Sequence, residues 1–191
     1  MPSVERRPAD NRPVLHQPTA LVVIRGNSGS GKTSLARQLR LHQGRGWALV
    51  EQDNLRRVIL RERDKAGGLA PAFIDHTVRF LLGNGYSVIL EGILASHRYG
   101  PMLTKLIADH SGPSLLYYLD VSFDETVRRH HTRPQAADFT PEHMRSWYLP
   151  GDTLDLPHEH VIAESSTFDD TLQLIITGLA TAGAHRGDQD G

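Results

Sequence analysis

Residues Val23–Leu39 read VIRGNSGSGKTSLARQL, a glycine-rich turn that lies between a strand-like run and a helix-like run. Within this stretch, Gly26–Thr33 fits the pattern G-x-x-x-x-G-K-S/T in the strand–loop–helix context that the pattern requires. Glycine lets backbone N–H groups turn inward and line an anion-binding concavity, and the N-terminus of the following helix adds its positive dipole end. The stretch therefore predicts a loop that binds phosphate groups.

The side chains of this loop receive predicted roles from their chemistry. Lys32 is predicted to reach the β- and γ-phosphates of a nucleotide as a catalytic cation, and the Thr33 hydroxyl is predicted to ligate Mg²⁺. The predicted nucleotide contacts are Gly26, Asn27, Ser28, Gly29, Ser30, Gly31, Lys32, Thr33 and Ser34. The alternative, a glycine-rich turn with a chance Lys-Thr pair, is disfavoured by the complete match to the pattern.

Short apolar runs alternate with amphipathic segments along the chain, which predicts a parallel β-sheet covered by helices on both faces. The predicted strands are Thr19–Gly26, Trp47–Asp53, Tyr86–Gly92, Ser114–Val121 and a weaker one at Glu159–Glu164. Helices are predicted to start after Ser122, which forms a capping box with Glu125, and at Thr140, which proline follows. The expected fold class is α/β, a three-layer α/β/α sandwich with a five-stranded parallel sheet.

Acids stand at the carboxyl ends of the predicted strands, where ligands bind in open α/β sheets. Asp53 ends the second strand and is predicted to orient or deprotonate an attacking hydroxyl, although capping the next helix is also open to it. Glu91 ends the third strand, where we expect it to support Mg²⁺ or contact the acceptor, with a structural salt bridge as the alternative. Asp120 ends the fourth strand and suits metal support or helix capping.

Two arginines follow Asp53 within one helical turn. Arg56 and Arg57 are predicted to bind the acceptor, because guanidinium groups bind anionic groups in a bidentate manner. The surrounding sequence RRVILRERDK suits a solvated helix face equally well.

A second arginine pair follows the fourth predicted strand. Arg129 and Arg133 lie four residues apart, on one face of a helix that ends before Pro134. Cations at this place stabilise the charge of a phosphoryl group during its transfer. We therefore predict a lid over about residues 129–141, with Arg129 contacting the nucleotide and Arg133 acting in catalysis.

The composition narrows the class of protein. A chain of 191 residues suits one domain, and its formal net charge of -1 gives no wide basic surface for nucleic acid. The sequence has no cysteine, which excludes disulfides and thiol nucleophiles. It shows no signal peptide or membrane-spanning run, so we expect a cytoplasmic protein. We predict a flexible segment over residues 1–17, a domain over 18–181 and a flexible tail over 182–191.

A phosphate loop is compatible with an enzyme that transfers phosphate and with a nucleotide-driven switch or motor. A GTPase switch needs a guanine-reading segment such as Asn-Lys-x-Asp, which the sequence lacks. The chain is also short for a motor domain. The acid at Asp53 and the predicted arginine-rich lid favour phosphate transfer, and a regulatory ATPase is the alternative.

These landmarks, in this order, resemble the P-loop kinase superfamily, and most closely its polynucleotide-kinase-like branch of small phosphotransferases. Zeta-toxin-like kinases and antibiotic phosphotransferases are similar in layout. The resemblance rests on the loop and on the stretches EQDNLRRVIL, VILEGIL and YLDVSFDETVRRHHTRP, and it covers about residues 19–180. It implies a P-loop NTPase fold of the nucleoside-monophosphate-kinase type, with strand order 2-3-1-4-5, and an ATP- and Mg²⁺-dependent kinase that phosphorylates an alcohol group.

The resemblance also implies roles for single residues. These are triphosphate and Mg²⁺ binding by Lys32 and Thr33, general base by Asp53, acceptor-phosphate contact by Arg56, second acid by Glu91 and lid arginine by Arg133. The second acid is a glutamate here, where an aspartate is typical of the branch.

The expected acceptor is a small molecule such as a nucleoside, a nucleotide, an antibiotic or another metabolite. A polynucleotide end requires several backbone contacts, whereas the cations on the acceptor side are few, namely Arg56 and Arg57. Arg98 is a third candidate, and a surface residue without a role toward the acceptor is the alternative for it. A polynucleotide 5′-hydroxyl is the second expectation for the acceptor.

Overall fold

A computed structural model of the chain describes residues 18–131 and 140–187. Within these residues, the centre is a sheet of five parallel strands in the order β2-β3-β1-β4-β5. The strands are β1 (Leu21–Gly26), β2 (Trp47–Glu51), β3 (Ser87–Gly92), β4 (Ser114–Asp120) and β5 (Glu159–Ala163). This is the order that the sequence resemblance implies, and the parallel direction of the strands brings their carboxyl ends to one edge.

Helices connect these strands. In the described residues they are α1 (Lys32–Gln43), a π helix (Asn54–Ile59), α2 (Ala70–Gly83), α3 (Ser96–Asp109), α4 (Phe123–His131), α5 (Pro141–Trp147) and α6 (Phe168–Gly187). The two predicted helix starts are confirmed. The Ser122 hydroxyl accepts a hydrogen bond from the N–H of Glu125 at 3.3 Å, and the Thr140 hydroxyl accepts one from the N–H of His143 at 3.3 Å.

Two hydrophobic clusters flank the sheet and make it the middle of three layers. Side chains of β1 divide between them, because successive residues of a strand face opposite sides. Val22 and Ile24 pack with residues of α1 and α6, whereas Leu21 and Val23 pack with residues of α2 and α3. All four side chains are fully buried. The predicted α/β/α sandwich is therefore confirmed.

Arg25 is the exception in β1, because it is a fully buried charge in an otherwise apolar strand. Its guanidinium forms ion pairs with Glu159 at 2.7 Å and with Asp152 at 3.1 Å. It also donates two hydrogen bonds, each of 3.1 Å, to the carbonyl oxygen of Leu94. A buried charge is costly unless it is paired, and these partners tie β1 to β5 and to the loops at the carboxyl edge.

Some boundaries differ from those expected from the sequence. β2 ends at Glu51 rather than Asp53, because residues 52 and 53 already have helical backbone geometry. α6 continues to Gly187, so the domain boundary predicted at residue 181 falls inside this helix. Residues 1–17, and residues 132–139 of the predicted lid, lie outside the described residues.

No helix in the described part of the chain is long and apolar enough to cross a membrane.

Candidate functional site

The phosphate loop, Gly26–Gly31, joins β1 to α1 at the carboxyl edge of the sheet. Gly29 has a φ of 87°, and a Cβ atom there would lie 2.6 Å from the carbonyl oxygen of Thr126. A Cβ atom at Gly26 would lie 2.9 Å from the carbonyl oxygen of Leu119. Glycine is required at both positions, because the loop packs directly against β4 and α4.

Polar groups of the loop fit a phosphate ligand. The buried Ser30 hydroxyl has no hydrogen-bond partner among the described residues. Buried hydroxyls are normally hydrogen-bonded, so this donor suits a site that a phosphate oxygen completes. Lys32 is buried beside it, and its ammonium group donates to the carbonyl oxygen of Asn27 at 3.3 Å. The lysine therefore lies against the loop, as its predicted role requires.

Glu91 and Thr33 meet beside the loop, on β3 and α1. The Thr33 hydroxyl lies 3.2 Å from each carboxylate oxygen of Glu91. Burial raises the pKa of the Glu91 carboxyl above its ordinary value, while the charge of Lys32 and the Thr33 hydrogen bond act in the opposite direction. Hydroxyl and carboxylate oxygens are ligands that Mg²⁺ prefers. The donor set of Thr33 and Glu91 therefore fits the metal role predicted for both residues.

Asp53 stands in the first helical turn after β2, and its side chain is 60% exposed. Its φ of -64° and ψ of -35° are helical, and its side chain makes no capping hydrogen bond. A capping residue normally has a non-helical backbone, so the capping role considered for Asp53 is wrong. The carboxylate instead pairs with Arg56 at 2.8 Å and lies 3.7 Å from Arg57.

One N–H group of Arg56, beside Asp53, has no hydrogen-bond acceptor among the described residues. Its side chain is 15% exposed, and its Nε atom is buried without a hydrogen-bond partner in the part of the chain that the structure describes. The structure thus brings Asp53, Arg56 and Arg57 together at the carboxyl edge of β2, and their roles toward an acceptor stay predictions.

Arg129 reaches the phosphate loop from α4. Its guanidinium donates to the carbonyl oxygen of Ser30 at 3.0 Å and pairs with Glu125 at 2.6 Å. Hydrogen bonds from Arg128 and Arg129 lower the pKa of Glu125 to about 2, so the carboxylate that holds Arg129 stays charged at neutral pH. Arg133, the predicted catalytic arginine, lies outside the described residues.

A cavity of about 460 Å³ opens beside the loop, between α4 and the segment that joins β5 to α6. Its lining includes Ser30, Gly31, Ser34, Arg129 and residues 164–168. The volume lies in the range of small-ligand pockets, roughly 300–1,000 Å³. It therefore has room for the nucleoside part of a nucleotide whose phosphates occupy the loop. Residues 164–168 carry no sequence motif, so the sequence did not predict that they line a cavity beside the loop.

The side chain of Asn27 binds the backbone of Leu149, whereas the sequence predicted that Asn27 contacts the nucleotide. Its Nδ2 donates to the carbonyl oxygen of Leu149 at 2.7 Å, and its Oδ1 accepts from the N–H of Leu149 at 2.8 Å. The side chain clamps the phosphate loop to the segment after α5, which leaves a nucleotide contact to the main chain of Asn27. No sequence motif marks Leu149 as this partner.

Gln52 and Arg25, which no motif singles out, hold the loop after Glu91. Leu94 in this loop is buried and has a φ of 45°, which is uncommon for a residue other than glycine. Its N–H donates to Oε1 of Gln52 at 3.2 Å, and its carbonyl oxygen accepts from Arg25. The one available signal was the charge of Arg25 inside an apolar run, because a buried charge requires partners.

A sequence profile of the AAA_33 family, described as an AAA domain, matches residues 21–148. None of the curated proteins matches the chain.

Solved structures share the fold. A gluconokinase from Sinorhizobium meliloti is 18% identical, with a TM-score of 0.66 over 91% of this chain and 98% of its own. The APS kinase of Mycobacterium tuberculosis, in complex with AMPPNP and APS, is 19% identical, with a TM-score of 0.63 over 85% of this chain and 98% of its own. A sugar kinase from a Janibacter species is 19% identical, with a TM-score of 0.67 over 87% of this chain and 98% of its own. The fold is therefore that of the P-loop kinases.

Proposed function

The chain belongs to the AAA_33 family of AAA domains, and we propose that it is an ATP- and Mg²⁺-dependent kinase that phosphorylates a hydroxyl group of a small molecule. The observation that carries the proposal is the meeting of Lys32, Thr33 and Glu91 at the phosphate loop. The shared fold with solved P-loop kinases supports it.

On the nucleotide side, the loop N–H groups and Lys32 hold the triphosphate, and Thr33 and Glu91 supply oxygen ligands for Mg²⁺. Bound Mg²⁺ neutralises phosphate charge and polarises the phosphoryl oxygens. Arg129 adds a cation at the loop, next to the carbonyl oxygen of Ser30. Charge that develops during transfer is stabilised by cations that are already in place.

On the acceptor side, Asp53 takes the proton of the acceptor hydroxyl while that oxygen forms its bond to the γ-phosphorus. The bond between the γ-phosphorus and the bridging oxygen breaks, and its electron pair leaves with ADP. Arg56 and Arg57 hold the Asp53 carboxylate in the structure. Their N–H groups also suit an anionic group of the acceptor.

Two other functions use the same nucleotide side. A polynucleotide 5′-hydroxyl kinase would differ in its acceptor, and a regulatory ATPase would hydrolyse ATP without transferring phosphate to an acceptor. The test is a transfer assay with γ-labelled ATP and Mg²⁺ against nucleosides, phosphorylated and unphosphorylated sugars, aminoglycosides and 5′-hydroxyl oligonucleotides.

We expect a labelled small-molecule product and ADP release that this acceptor stimulates. Lys32→Ala should lower the rate at least about a hundredfold, because it removes the cation that faces the transferred phosphate. Lys105→Ala, which removes an exposed lysine of α3, is the matched control. Label on oligonucleotides alone would indicate the polynucleotide kinase, and ADP release that no acceptor stimulates would indicate the regulatory ATPase.

A further inference from the structure

Three exposed cations, Arg61, Arg63 and Lys65, lie in the segment between the π helix and α2. We call these three residues the basic strip. None of them forms an ion pair with another residue in the ranges 18–131 and 140–187. Their charges are therefore available to a ligand.

The acids of the same segment face the protein. Glu62 accepts hydrogen bonds from the N–H groups of Leu69 at 2.8 Å and Ala70 at 3.0 Å, at the start of α2. Asp64 pairs with Arg98 at 2.8 Å. The sequence RERDK alternates in sign, but both of its carboxylates have hydrogen-bond or ion-pair partners within the protein, whereas the side chains of its three cations have none among the described residues. Arg98, which sequence reasoning counted among the acceptor-side cations, is occupied by Asp64.

Most other cations of the described residues are paired with carboxylates. The pairs include Arg37–Glu51, Arg79–Asp75, Lys105–Asp109, Arg128–Glu125 and Arg25–Glu159. Arg40, Arg45 and Arg145 are also exposed and form no ion pair with another described residue. Arg40 and Arg45 lie at the far end of α1 from the phosphate loop, and the guanidinium of Arg145 stacks over the Phe123 ring at 4.0 Å. Among these cations, the basic strip is the group whose segment is hydrogen-bonded to Arg56 of the candidate site.

Hydrogen bonds hold Glu62, which lies between Arg61 and Arg63, against Arg56. The N–H of Glu62 donates to the carbonyl oxygen of Arg56 at 2.8 Å, and the Arg56 guanidinium donates to the carbonyl oxygen of Glu62 at 3.4 Å. Arg56 in turn pairs with Asp53. The strip therefore begins beside the residue that contacts the proposed base.

We propose that the basic strip binds phosphate carried by the acceptor, so that the substrate of this kinase is a small hydroxyl compound that is already phosphorylated. This inference rests on the proposed function and narrows its acceptor. Guanidinium groups match phosphate in a bidentate manner, and lysine adds a point charge. Three cations suit one or two phosphate groups, whereas a polynucleotide backbone calls for more contacts along its length.

The experiment uses inorganic pyrophosphate as the probe, with the phosphate loop saturated by AMPPNP and Mg²⁺. Calorimetry gives the dissociation constant for the wild type and for the double variant Arg61→Asn, Arg63→Gln. Asparagine is chosen because residue 61 has a φ of 51°, which asparagine tolerates. The matched control, Arg40→Gln with Arg45→Gln, removes two exposed arginines at the far end of α1.

We expect pyrophosphate to bind the wild type and to bind the strip variant at least about tenfold more weakly, because charge-assisted hydrogen bonds are lost. The control should change the dissociation constant less than about twofold. Absence of pyrophosphate binding, or equal binding by wild type and strip variant, would overturn the proposal. A 5′-hydroxyl oligonucleotide that binds more tightly than pyrophosphate, with a steep salt dependence, would also overturn it in favour of nucleic acid.

The two proposals fail in different assays. If the strip variant alone loses pyrophosphate while no acceptor receives label from ATP, the kinase proposal is wrong and the phosphate site stands as an anion-binding site. If label is transferred only to unphosphorylated acceptors, the kinase proposal stands and the strip proposal is wrong.

Discussion

Burial of the Glu91 carboxyl group and its proposed role as a metal ligand have opposite effects on its charge. Its burial disfavours the charged form and raises the pKa of its carboxyl. The same carboxylate faces the Thr33 hydroxyl, at the place where a cation is expected. A site that holds a buried carboxylate for a metal sacrifices stability for function.

The variant Glu91→Gln separates these effects. A carboxyl whose pKa is raised by folding contributes stability below its unfolded pKa of 4.5 and loses it as the pH rises through the folded value. At neutral pH, Glu91→Gln should therefore raise the Tm of the nucleotide-free protein, and its advantage should shrink as the pH falls toward 4.5. ATP with Mg²⁺ should raise the Tm of the wild type in a thermal unfolding experiment. This rise in Tm should be lost in the variant.

Asp120→Asn is the matched control for this substitution. Asp120 ends β4 at the same edge of the sheet, but it is exposed. We expect this variant to keep the response of the Tm to ATP with Mg²⁺. The reverse pattern, with the response lost in Asp120→Asn and kept in Glu91→Gln, would assign metal support to Asp120.

Asp53→Asn tests the proposed base. The amide keeps the size of the carboxylate but accepts no proton, so transfer to the acceptor should fall by about 10²–10⁴-fold. The dissociation constant of ATP, measured by calorimetry, should stay within about twofold, because the role proposed for Asp53 is toward the acceptor. Asp75→Asn removes another acid that pairs with an arginine on the same helix, Arg79, and should leave transfer unchanged. A wild-type transfer rate in Asp53→Asn would contradict the assignment.

At the scale of elements, the segment after α5 is bound to the phosphate loop by one side chain. Asn27 both donates to and accepts from the backbone of Leu149, and the Tyr118 hydroxyl donates to the same carbonyl oxygen at 3.3 Å. The conformation of the loop and the position of this segment are therefore coupled. The coupled segments are distant in sequence. No sequence pattern marks the contact, because its partners at Leu149 are backbone groups.

Asn27→Ala should loosen this connection. It leaves the half-buried N–H of Leu149 without its acceptor, which should lower the free energy of unfolding by about 1 kcal/mol. Amide hydrogen exchange at Leu149 should accelerate, while ATP affinity should fall less than about tenfold because the loop N–H groups remain. Asn84→Ala removes an exposed hydrogen bond at the end of α2 and is the control. Unchanged exchange at Leu149 would show that Asn27 is not the clamp.

At the scale of the whole molecule, Arg25 joins parts of the chain that the sheet alone does not connect. It binds Glu159 of β5, Asp152 and the carbonyl oxygen of Leu94. Asp152 also accepts from the N–H of Ser96 at 2.9 Å, at the first residue of α3. One buried guanidinium thus holds the carboxyl edge of the sheet together behind the candidate site.

Arg25→Met should lower the free energy of unfolding by about 3–5 kcal/mol, because it leaves the buried carboxylate of Glu159 and the partly buried carboxylate of Asp152 without their cation. Chemical denaturation measures this change. Adding Glu159→Gln to Arg25→Met should recover part of the loss, since it removes one unpaired charge. Arg37→Met breaks an exposed ion pair with Glu51 and should cost less than about 1 kcal/mol. An equal loss of unfolding free energy in Arg25→Met and in Arg37→Met would contradict this account.

Local chemistry alone predicted the parallel sheet, the phosphate loop and the helix starts at Ser122 and Thr140. The phosphate loop and the helix starts each depend on a pattern within about ten residues, namely glycines before a Lys-Thr pair or a capping side chain. The parallel sheet depends on short apolar runs that alternate with amphipathic segments along the chain. The placement of Glu91 at the loop also followed from the sequence, because carboxyl ends of parallel strands share one edge.

Only the tertiary structure decided which partners the long polar side chains take. The sequence did not show that the side chain of Asn27 binds the backbone of Leu149, or that Arg98, a candidate acceptor-side cation, pairs with Asp64. It did not separate the unpaired arginines of the basic strip from the solvated face of RRVILRERDK. Such pairings depend on distances between segments far apart in the chain, and flexible side chains choose among several partners of similar energy. Packing of the folded chain therefore determines them, and no local pattern carries that information.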